Sequence, residues 1–270
     1  MTPPARAARP GGTAEGWPAD ERDAAAHAFV GDAADLADDV VLDGPDGHHL
    51  QRVRRLRAGE RLTLADGRGA WRAYEVEAVS PGSLQLGARG ELRAEPDLVP
   101  RVALAVALTK AGALETVVAR TTELGVARVV PLRTRRCVVR WTAADAERAV
   151  GRLRATAREA AAQSRRARLP EIAPVTDLAG IADRPGLVVA DRSGAPARQL
   201  AAPGPVAGAP PEWIAVVGPE GGLDPDELAQ LAHAPRVGLG PYVLKAETAP
   251  IAAAALLLDR AREMFREWQV

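Results

Sequence analysis

The chain has 270 residues, of which 47% are hydrophobic and only 3% aromatic, and its 35 basic residues balance its 35 acidic ones. This length suffices for one large domain or two ordinary ones, with a core built from Ala, Val and Leu. A formal charge of zero excludes a global field that attracts nucleic acid or membranes, so any nucleic-acid surface must be a local patch. The single cysteine, Cys137, excludes an intramolecular disulfide and a cysteine-based zinc site, and it favours a reducing, cytoplasmic setting.

The first third of the chain predicts a tail followed by a small β domain. Residues 1–22 are rich in Pro, Gly, Ala and charge, which is typical of a disordered tail. Residues 27–94 contain short β-like segments separated by turn signals at Asp66-Gly67 and Pro81-Gly82. The stretch "AEPDLVP" at 94–100 predicts a linker. Since no leader pattern and no apolar run of about 18 residues is present, nothing marks a secreted or membrane protein.

In the remaining chain, apolar segments typical of buried strands alternate with segments that have the 3.6-residue spacing of helices. Thr142 is suited to cap the second helix of this part, and Gly125 to end the first. Strands that alternate with helices predict an α/β domain with a mostly parallel sheet. Residues 195–211 are low in complexity and predict a surface loop. The predicted strands cover 101–108, 127–132, 187–191, 213–218 and 236–240, and the predicted helices cover 113–124, 142–168 and 248–268.

A glycine-rich stretch, "VGPEGGLDPDE" at 217–227, follows one of these strands. Asp224, Pro225 and Glu227 have the spacing of a capping box with Pro at the first helical position. The turn therefore lies at the carboxyl end of a strand, where open α/β sheets bind ligands. It lacks the dinucleotide and phosphate-loop patterns, and Glu220 would repel a phosphate. A ligand held by backbone groups and a purely structural turn are both compatible with this motif.

A second stretch, "LGPYVLKAETA" at 239–249, also has a Gly-Pro turn before a helix. The two turns are predicted to form two walls of one pocket. Ordinary capping of the last helix by Glu247 or Thr248 is the alternative.

Arginines are concentrated in two segments, which suits contact with RNA phosphates. A solvated helix face is the alternative for the second segment, and Trp71 is expected in a core position. His48 and His49 have no metal-ligand spacing and are expected at a strand start or in contact with RNA. The first segment contains Arg52, Arg54, Arg55, Arg57, Arg61, Arg68 and Arg72, and the second contains Arg148, Arg152, Arg154, Arg158, Arg165, Arg166 and Arg168.

Four ordered motifs carry a resemblance to a known family. They are "ELGVARVVPL" (123–132), "AAAQSRRARLPEI" (160–172) and the two glycine stretches, extended to 216–228 and 239–249. Together they resemble the bacterial 16S ribosomal RNA uracil-N3 methyltransferases, the RsmE family of the SPOUT superfamily. Residues 48–79 are similar to that family's N-terminal RNA-binding domain.

The resemblance implies a PUA-like RNA-binding β-barrel over residues 23–95 and a SPOUT methyltransferase domain, an α/β fold with a trefoil knot, over 96–270. It implies a homodimer that uses S-adenosylmethionine and acts on 16S rRNA or the small ribosomal subunit, without metal or membrane. Tyr242 and Lys245 stand where the family commonly has arginines, Ala162 where it has Glu, and Ala111 and Gly112 where it has Gly and an acid. Arg120 replaces a usual Lys and keeps the charge.

The resemblance also implies roles for individual residues. For methyl transfer to uracil, Arg166, Lys245 and Glu247 are the candidate catalytic groups, with Gln163 as an orienting partner. The RNA-binding candidates are Arg52, Arg55, Arg57, Arg120, Gln163, Arg165 and Arg168. The cofactor-binding candidates are Val217, Gly218, Pro219, Glu220, Gly221, Gly222, Leu239, Gly240, Tyr242, Leu244 and Thr248.

Three functions remain open on the sequence: an rRNA methyltransferase, a non-catalytic RNA-binding protein on the same scaffold, and a metabolic enzyme of ordinary Rossmann type. The missing nucleotide fingerprints disfavour the third.

Overall fold

The computed structural model describes residues 24–52, 54–109, 112–206 and 208–268. The predicted tail at 1–22 and Ala111 lie outside the described residues. The chain separates into two compact units, the first ending at Pro96 and the second beginning at Asp97. This division falls inside the stretch predicted as a linker.

In its described residues, the first unit is a mixed six-stranded sheet with one α-helix and a short 3₁₀ turn. Its strand order is β1-β3-β4-β5-β2, with β6 also paired to β4; β1 and β3 run parallel and the other pairs antiparallel. Turns at Asp66 and at Pro81-Gly82 join β3 to β4 and β4 to β5, as predicted. The elements are β1 (Ala26–Phe29), β2 (Asp39–Leu42), α1 (Gly44–Arg52), β3 (Arg61–Ala65), β4 (Ala70–Ser80), β5 (Ser83–Ala88) and β6 (Arg93–Ala94).

The core of this unit lies along alternate residues of β3, β4 and β5. Leu62, Leu64 and Tyr74 are fully buried there, and Trp71 is also buried, as expected. The prediction of β structure throughout 27–94 is wrong at α1, which places His48 and His49 on a helix rather than at a strand start. Gly44, Pro45, Gly47 and two histidines are poor helix formers, so the local pattern does not indicate this helix.

The second unit is a parallel sheet covered by helices. Its strand order is β10-β8-β7-β12-β11-β13, with β9 also paired to β8, and every pair is parallel. The elements are β7 (Arg101–Ala107), α2 (Ala113–Leu124), β8 (Arg128–Arg133), α3 (Ala143–Ser164), β9 (Glu171–Ile172), β10 (Thr176–Asp177), β11 (Leu187–Ala195), β12 (Glu212–Val217), α4 (Pro225–Gln230), β13 (Arg236–Val237) and α5 (Thr248–Trp268).

The central strands β7 and β12 bury both faces, which explains their continuous apolar sequences. Leu104 and Ala215 belong to the core cluster that includes residues of α2, α3 and α5, while Ala103 and Ile214 belong to the cluster on the opposite face. The mixed α/β class and the parallel sheet are confirmed. The trefoil knot stays a prediction.

The end of one predicted helix and the description of one predicted loop are corrected. The second helix, α3, begins after Thr142, whose hydroxyl accepts from the Asp145 N–H, but it ends at Ser164 rather than at 168. Arg165 takes a left-handed conformation with φ 58° and terminates it. The predicted surface loop at 195–211 contains a short 3₁₀ turn, and Ala197 and Leu200 on either end of it are buried in the core.

Candidate functional site

A cavity of about 380 Å³ lies at the carboxyl end of β12 and beside the middle of β11. Three segments form its walls: residues 189–192 at the middle of β11, residues 217–223 after β12, and residues 239–249 after β13. Parallel strands place their carboxyl ends at one edge, which is where open α/β sheets bind ligands. The two Gly-Pro turns predicted to share one pocket therefore do so.

The first wall is the glycine turn, residues 218–222. It is closed by a hydrogen bond of 2.8 Å from the Gly222 N–H to the Pro219 carbonyl. Gly222 has φ +70°, a conformation that other residues rarely adopt. A side chain on Gly218 would meet Leu223 at 3.3 Å. The glycines thus give a tight turn that brings backbone groups to the cavity.

The helix after this turn, α4, begins with the predicted capping box. The Asp224 carboxylate accepts from the Asp226 N–H at 3.1 Å, and Glu227 accepts from the Asp224 N–H at 2.8 Å. Glu227 is only 4% exposed. Its second oxygen accepts from the Arg135 N–H, also at 2.8 Å, so both oxygens of this buried carboxylate are bonded to backbone.

The second wall, residues 239–249, is much more exposed. Gly240 has φ +146°, and Tyr242 and Val243 are each 81% exposed. The Lys245 carbonyl accepts from the N–H groups of Thr248 and Ala249 at 2.9 Å, which starts α5.

The third wall, residues 189–192, was missed by the sequence predictions. Hydrogen bonds from the backbone and hydroxyl of Ser193, aided by the guanidinium of Arg236, hold the pKa of Asp191 below its usual value. The available signal was that "LVVAD" (187–191) is predicted as another parallel strand, which would end at the same edge of the sheet as β12.

The lining is largely apolar and backbone, with Asp191, Arg192 and Glu220 as its charged groups. Such a cavity suits a small molecule with an apolar ring and a few polar groups. Among the described residues, no three His, Cys, Asp or Glu side chains are placed to hold a metal ion. No helix in the described part of the chain is long and apolar enough to cross a membrane.

The structure brings most of the predicted cofactor residues together. All of them line the cavity except Gly221 and Thr248, which adjoin lining residues. Lys245 and Glu247 lie on the second wall, between lining residues.

Arg166, predicted as an electrostatic stabiliser, lies elsewhere. Its guanidinium donates to the carbonyls of Thr122 and Val126, at 2.6 and 3.2 Å, where α2 ends. It is not among the lining residues. This geometry stabilises the fold around α2, and a catalytic role for Arg166 stays a prediction.

The first arginine segment divides into exposed and structural members. Arg52, Arg55 and Arg57 are exposed. Arg72 was expected to contact RNA, but its side chain bonds within the first unit. It donates to the carbonyls of Gly90 and Leu36 and pairs with Asp38 at 2.7 Å, so it stabilises this unit.

Several arginines of the second unit also have intramolecular partners. Arg148 pairs with Asp145, Arg152 with Glu115, and Arg120 with Glu123. Arg154 donates to the Ile172 carbonyl. Exposed ion pairs of this kind contribute little to stability, so these side chains can exchange their partners for phosphates at small cost. Gln163, Arg165 and Arg168 lie at and just beyond the carboxyl end of α3.

Comparison with known proteins assigns both units. Residues 96–258 match the RNA methyltransferase domain family, and residues 42–87 match the RNA methyltransferase PUA domain. The chain belongs to the RNA methyltransferase domain family. The first match covers most of the second unit and the second match lies within the first unit, so we call these units the methyltransferase domain and the PUA domain.

Curated and solved relatives agree with this family. Ribosomal RNA small subunit methyltransferase E of Mycobacterium tuberculosis is 37% identical over 145 residues, which cover 53% of this chain and 55% of that protein. The chain spans about half the length of the curated relatives it matches.

The solved structures match over most of the chain. A methyltransferase from Legionella pneumophila with bound S-adenosylmethionine is 25% identical with a TM-score of 0.73, covering 86% of this chain and 96% of that one. The Neisseria gonorrhoeae ribosomal RNA small subunit methyltransferase E, bound to S-adenosyl methionine, has the same fold at 23% identity, with a TM-score of 0.73 and coverage of 85% and 95%.

Proposed function

We propose that the protein is an S-adenosylmethionine-dependent methyltransferase that modifies N3 of a specific uridine in 16S rRNA, on the small ribosomal subunit. The observation that carries this proposal is the cavity of the methyltransferase domain, whose walls are the two glycine turns. The Legionella relative holds S-adenosylmethionine, and the curated relatives are small-subunit rRNA methyltransferases.

The lining fits this cofactor. Apolar side chains such as Val189, Leu223 and Leu239 offer a surface for the adenine ring. The backbone of the glycine turn, freed by Gly222 at φ +70°, can approach the methionine and ribose parts closely. A cofactor without phosphate needs no lysine in the turn, which agrees with the sequence "GPEGG". When bound, S-adenosylmethionine supplies an electrophilic methyl group.

The nucleophile needs help from the protein. Uracil N3–H has a pKa of about 9, so ionising it at pH 7 costs about 3 kcal/mol, at about 1.4 kcal/mol per unit. A cation near the forming anion, or a base that accepts the proton, lowers this cost. Lys245 and Glu247 on the second wall supply one group of each kind, and the domain's main task is to align them with the methyl group.

For Arg166 we propose a role in stabilising the methyltransferase domain. Because it bonds the carbonyls of Thr122 and Val126, Arg166→Ala is expected to lower the stability of the methyltransferase domain. If Arg166→Ala lowers turnover without changing the melting temperature, the group acts on the reaction directly and this assignment is overturned.

For RNA binding we propose Arg52, Arg55 and Arg57 of the PUA domain and Arg120, Gln163, Arg165 and Arg168 of the methyltransferase domain. Binding through phosphates predicts affinity that falls steeply between low and moderate salt. We also propose that the protein acts as a homodimer in the cytoplasm, as the family resemblance implies.

The alternatives are a non-catalytic RNA-binding protein on this scaffold and a methyltransferase for another RNA site. The deciding experiment incubates the protein with labelled S-adenosylmethionine and small subunits that lack the modification, and then maps the label. Label on N3 of one uridine is expected. Absence of transfer would favour the binding protein, and label at another nucleotide would favour the other substrate.

A further inference from the structure

Arg136 contacts the glycine turn but has no role in lining the cavity. Residues 134–141, between β8 and α3, are named here the basic loop. The Arg136 guanidinium of this loop donates from Nη1 to the Gly221 carbonyl at 2.8 Å, and its side chain is otherwise exposed. Neither Arg136 nor Gly221 lines the cavity.

Resting on the proposed function, we infer that Arg136 is a positioning residue that fixes the glycine turn in the shape that binds the methyl donor. Gly221 and Gly222 are the most flexible pair in the turn, because glycine has the widest choice of backbone conformations. The peptide between them is planar, so holding the Gly221 carbonyl also sets the direction of the Gly222 N–H. That N–H closes the turn on Pro219, and Gly222 lines the cavity.

The side chain of Arg136 also packs against the turn. A methyl group placed on Gly221 would lie 3.7 and 3.8 Å from the Cδ and Cβ atoms of Arg136. The aliphatic part therefore covers the open face of Gly221 while the charged end bonds its carbonyl. A hydrogen bond from a charged donor is stronger than one between neutral groups.

Neighbouring residues hold the basic loop in place. The Arg135 N–H donates to the buried Glu227 carboxylate at 2.8 Å, and the Arg135 side chain pairs with Asp226 of α4 and with Asp224, which caps that helix. On the other side, Cys137 is buried, with its Sγ 3.1 Å from the Thr134 hydroxyl. Arg136 thus extends from a fixed backbone, so its contact with Gly221 restrains the turn rather than following it.

The test compares the purified full chain with two variants at Arg136 and one control. Arg136→Ala removes the contact and Arg136→Lys keeps a charged donor. Arg140→Ala removes one charge and a 3.5 Å bond to the Arg135 carbonyl from the same loop, and it leaves the contact with Gly221 in place. Calorimetric titration with S-adenosylmethionine is expected to give a dissociation constant about 5–10-fold higher for Arg136→Ala, or about 1–1.4 kcal/mol. We expect Arg136→Lys to recover part of this loss, and Arg140→Ala to bind like the wild type.

Amide hydrogen exchange of residues 217–224 provides a second measurement that needs no ligand. Faster exchange at the glycine turn in Arg136→Ala, with an unchanged melting temperature, is expected. Unchanged exchange in this variant would overturn the inference, as would equal weakening of binding by Arg136→Ala and Arg140→Ala. If the wild type itself binds no S-adenosylmethionine, the proposed cofactor is wrong, and the exchange measurement alone decides the positioning role.

Discussion

The two turns that enclose the cavity have similar sequences but very different surroundings. Arg136 bonds the glycine turn directly, and Glu227, which is 4% exposed, bonds the N–H of Asp224 just after the turn. The second wall exposes Tyr242 and Val243 at 81% each, although these side chains are apolar or nearly so. One wall is fixed before the ligand arrives, whereas the other has apolar surface still available to bury.

This difference divides the work of binding between the walls. A preformed wall saves the entropy cost of ordering on binding, and a wall that buries apolar surface on the ligand adds favourable energy. The fixed wall is therefore expected to set the orientation of the methyl donor, and the exposed wall to close over it. Four changes test this division.

The largest effect is expected where the exposed wall begins. Gly194 of β11 lies against the chain that leads from β13 into this wall, and a Cβ there would be 2.3 Å from the Val237 carbonyl carbon and 2.5 Å from the Gly238 nitrogen. No rotamer change relieves a clash with backbone, so Gly194→Ala is expected to cost more than about 4 kcal/mol of unfolding free energy. Thermal unfolding measures the effect.

Gly151→Ala is the matched control for this change. Gly151 lies within α3 with nothing within 4 Å of a Cβ, so the same substitution should stabilise by about 0.5–1 kcal/mol. A wild-type melting temperature for Gly194→Ala would show that β11 and β13 can move apart at little cost. The start of the exposed wall would then not be held rigidly by β11.

The fixed wall is tested by Glu227→Gln. Both Glu227 oxygens accept backbone N–H groups, from Arg135 and Asp224, and glutamine offers only one acceptor. A buried N–H would face the new NH₂ group, and a loss of about 2 kcal/mol is expected in chemical unfolding. Asp226→Asn on the exposed face of α4 is the control, with a loss below about 0.5 kcal/mol. Equal losses would contradict a special place for Glu227.

The exposed wall is tested by Val243→Ser. Since Val243 is 81% exposed, stability should change by less than about 0.5 kcal/mol. If the wall closes on the donor, the lost apolar contact should weaken S-adenosylmethionine binding about fivefold, or about 1 kcal/mol. Val41→Ser, at a position 63% exposed in the PUA domain, should leave binding unchanged. Wild-type affinity in Val243→Ser would mean that the wall stays open.

The sequence predicted the two Gly-Pro turns and the helix cap beside the first of them, because these signals are local. Asp224, Pro225 and Glu227 form the predicted capping box, and Gly125 and Thr142 end and begin helices as predicted. The contact of Arg136 with Gly221 joins residues 85 positions apart and leaves no local signal. The bonds of Arg166 to the carbonyls of Thr122 and Val126 likewise join residues that are far apart in the sequence, so no local pattern predicts them.

The smallest effect is expected at the third wall, where the charge of Asp191 is partly open to solvent. Ser193 and Arg236 lower its pKa in the folded protein, so the carboxylate stabilises the fold above its unfolded pKa of about 3.9, and this contribution is lost as the pH falls through the folded value. Asp191→Asn should therefore be less stable than the wild type by less than about 1 kcal/mol at pH 6, because solvent screens the pair. The gap should narrow in thermal unfolding as the pH falls below the unfolded pKa of about 3.9. A gap that stays constant with pH would mean that the loss comes from the introduced amide group and not from the charge of Asp191.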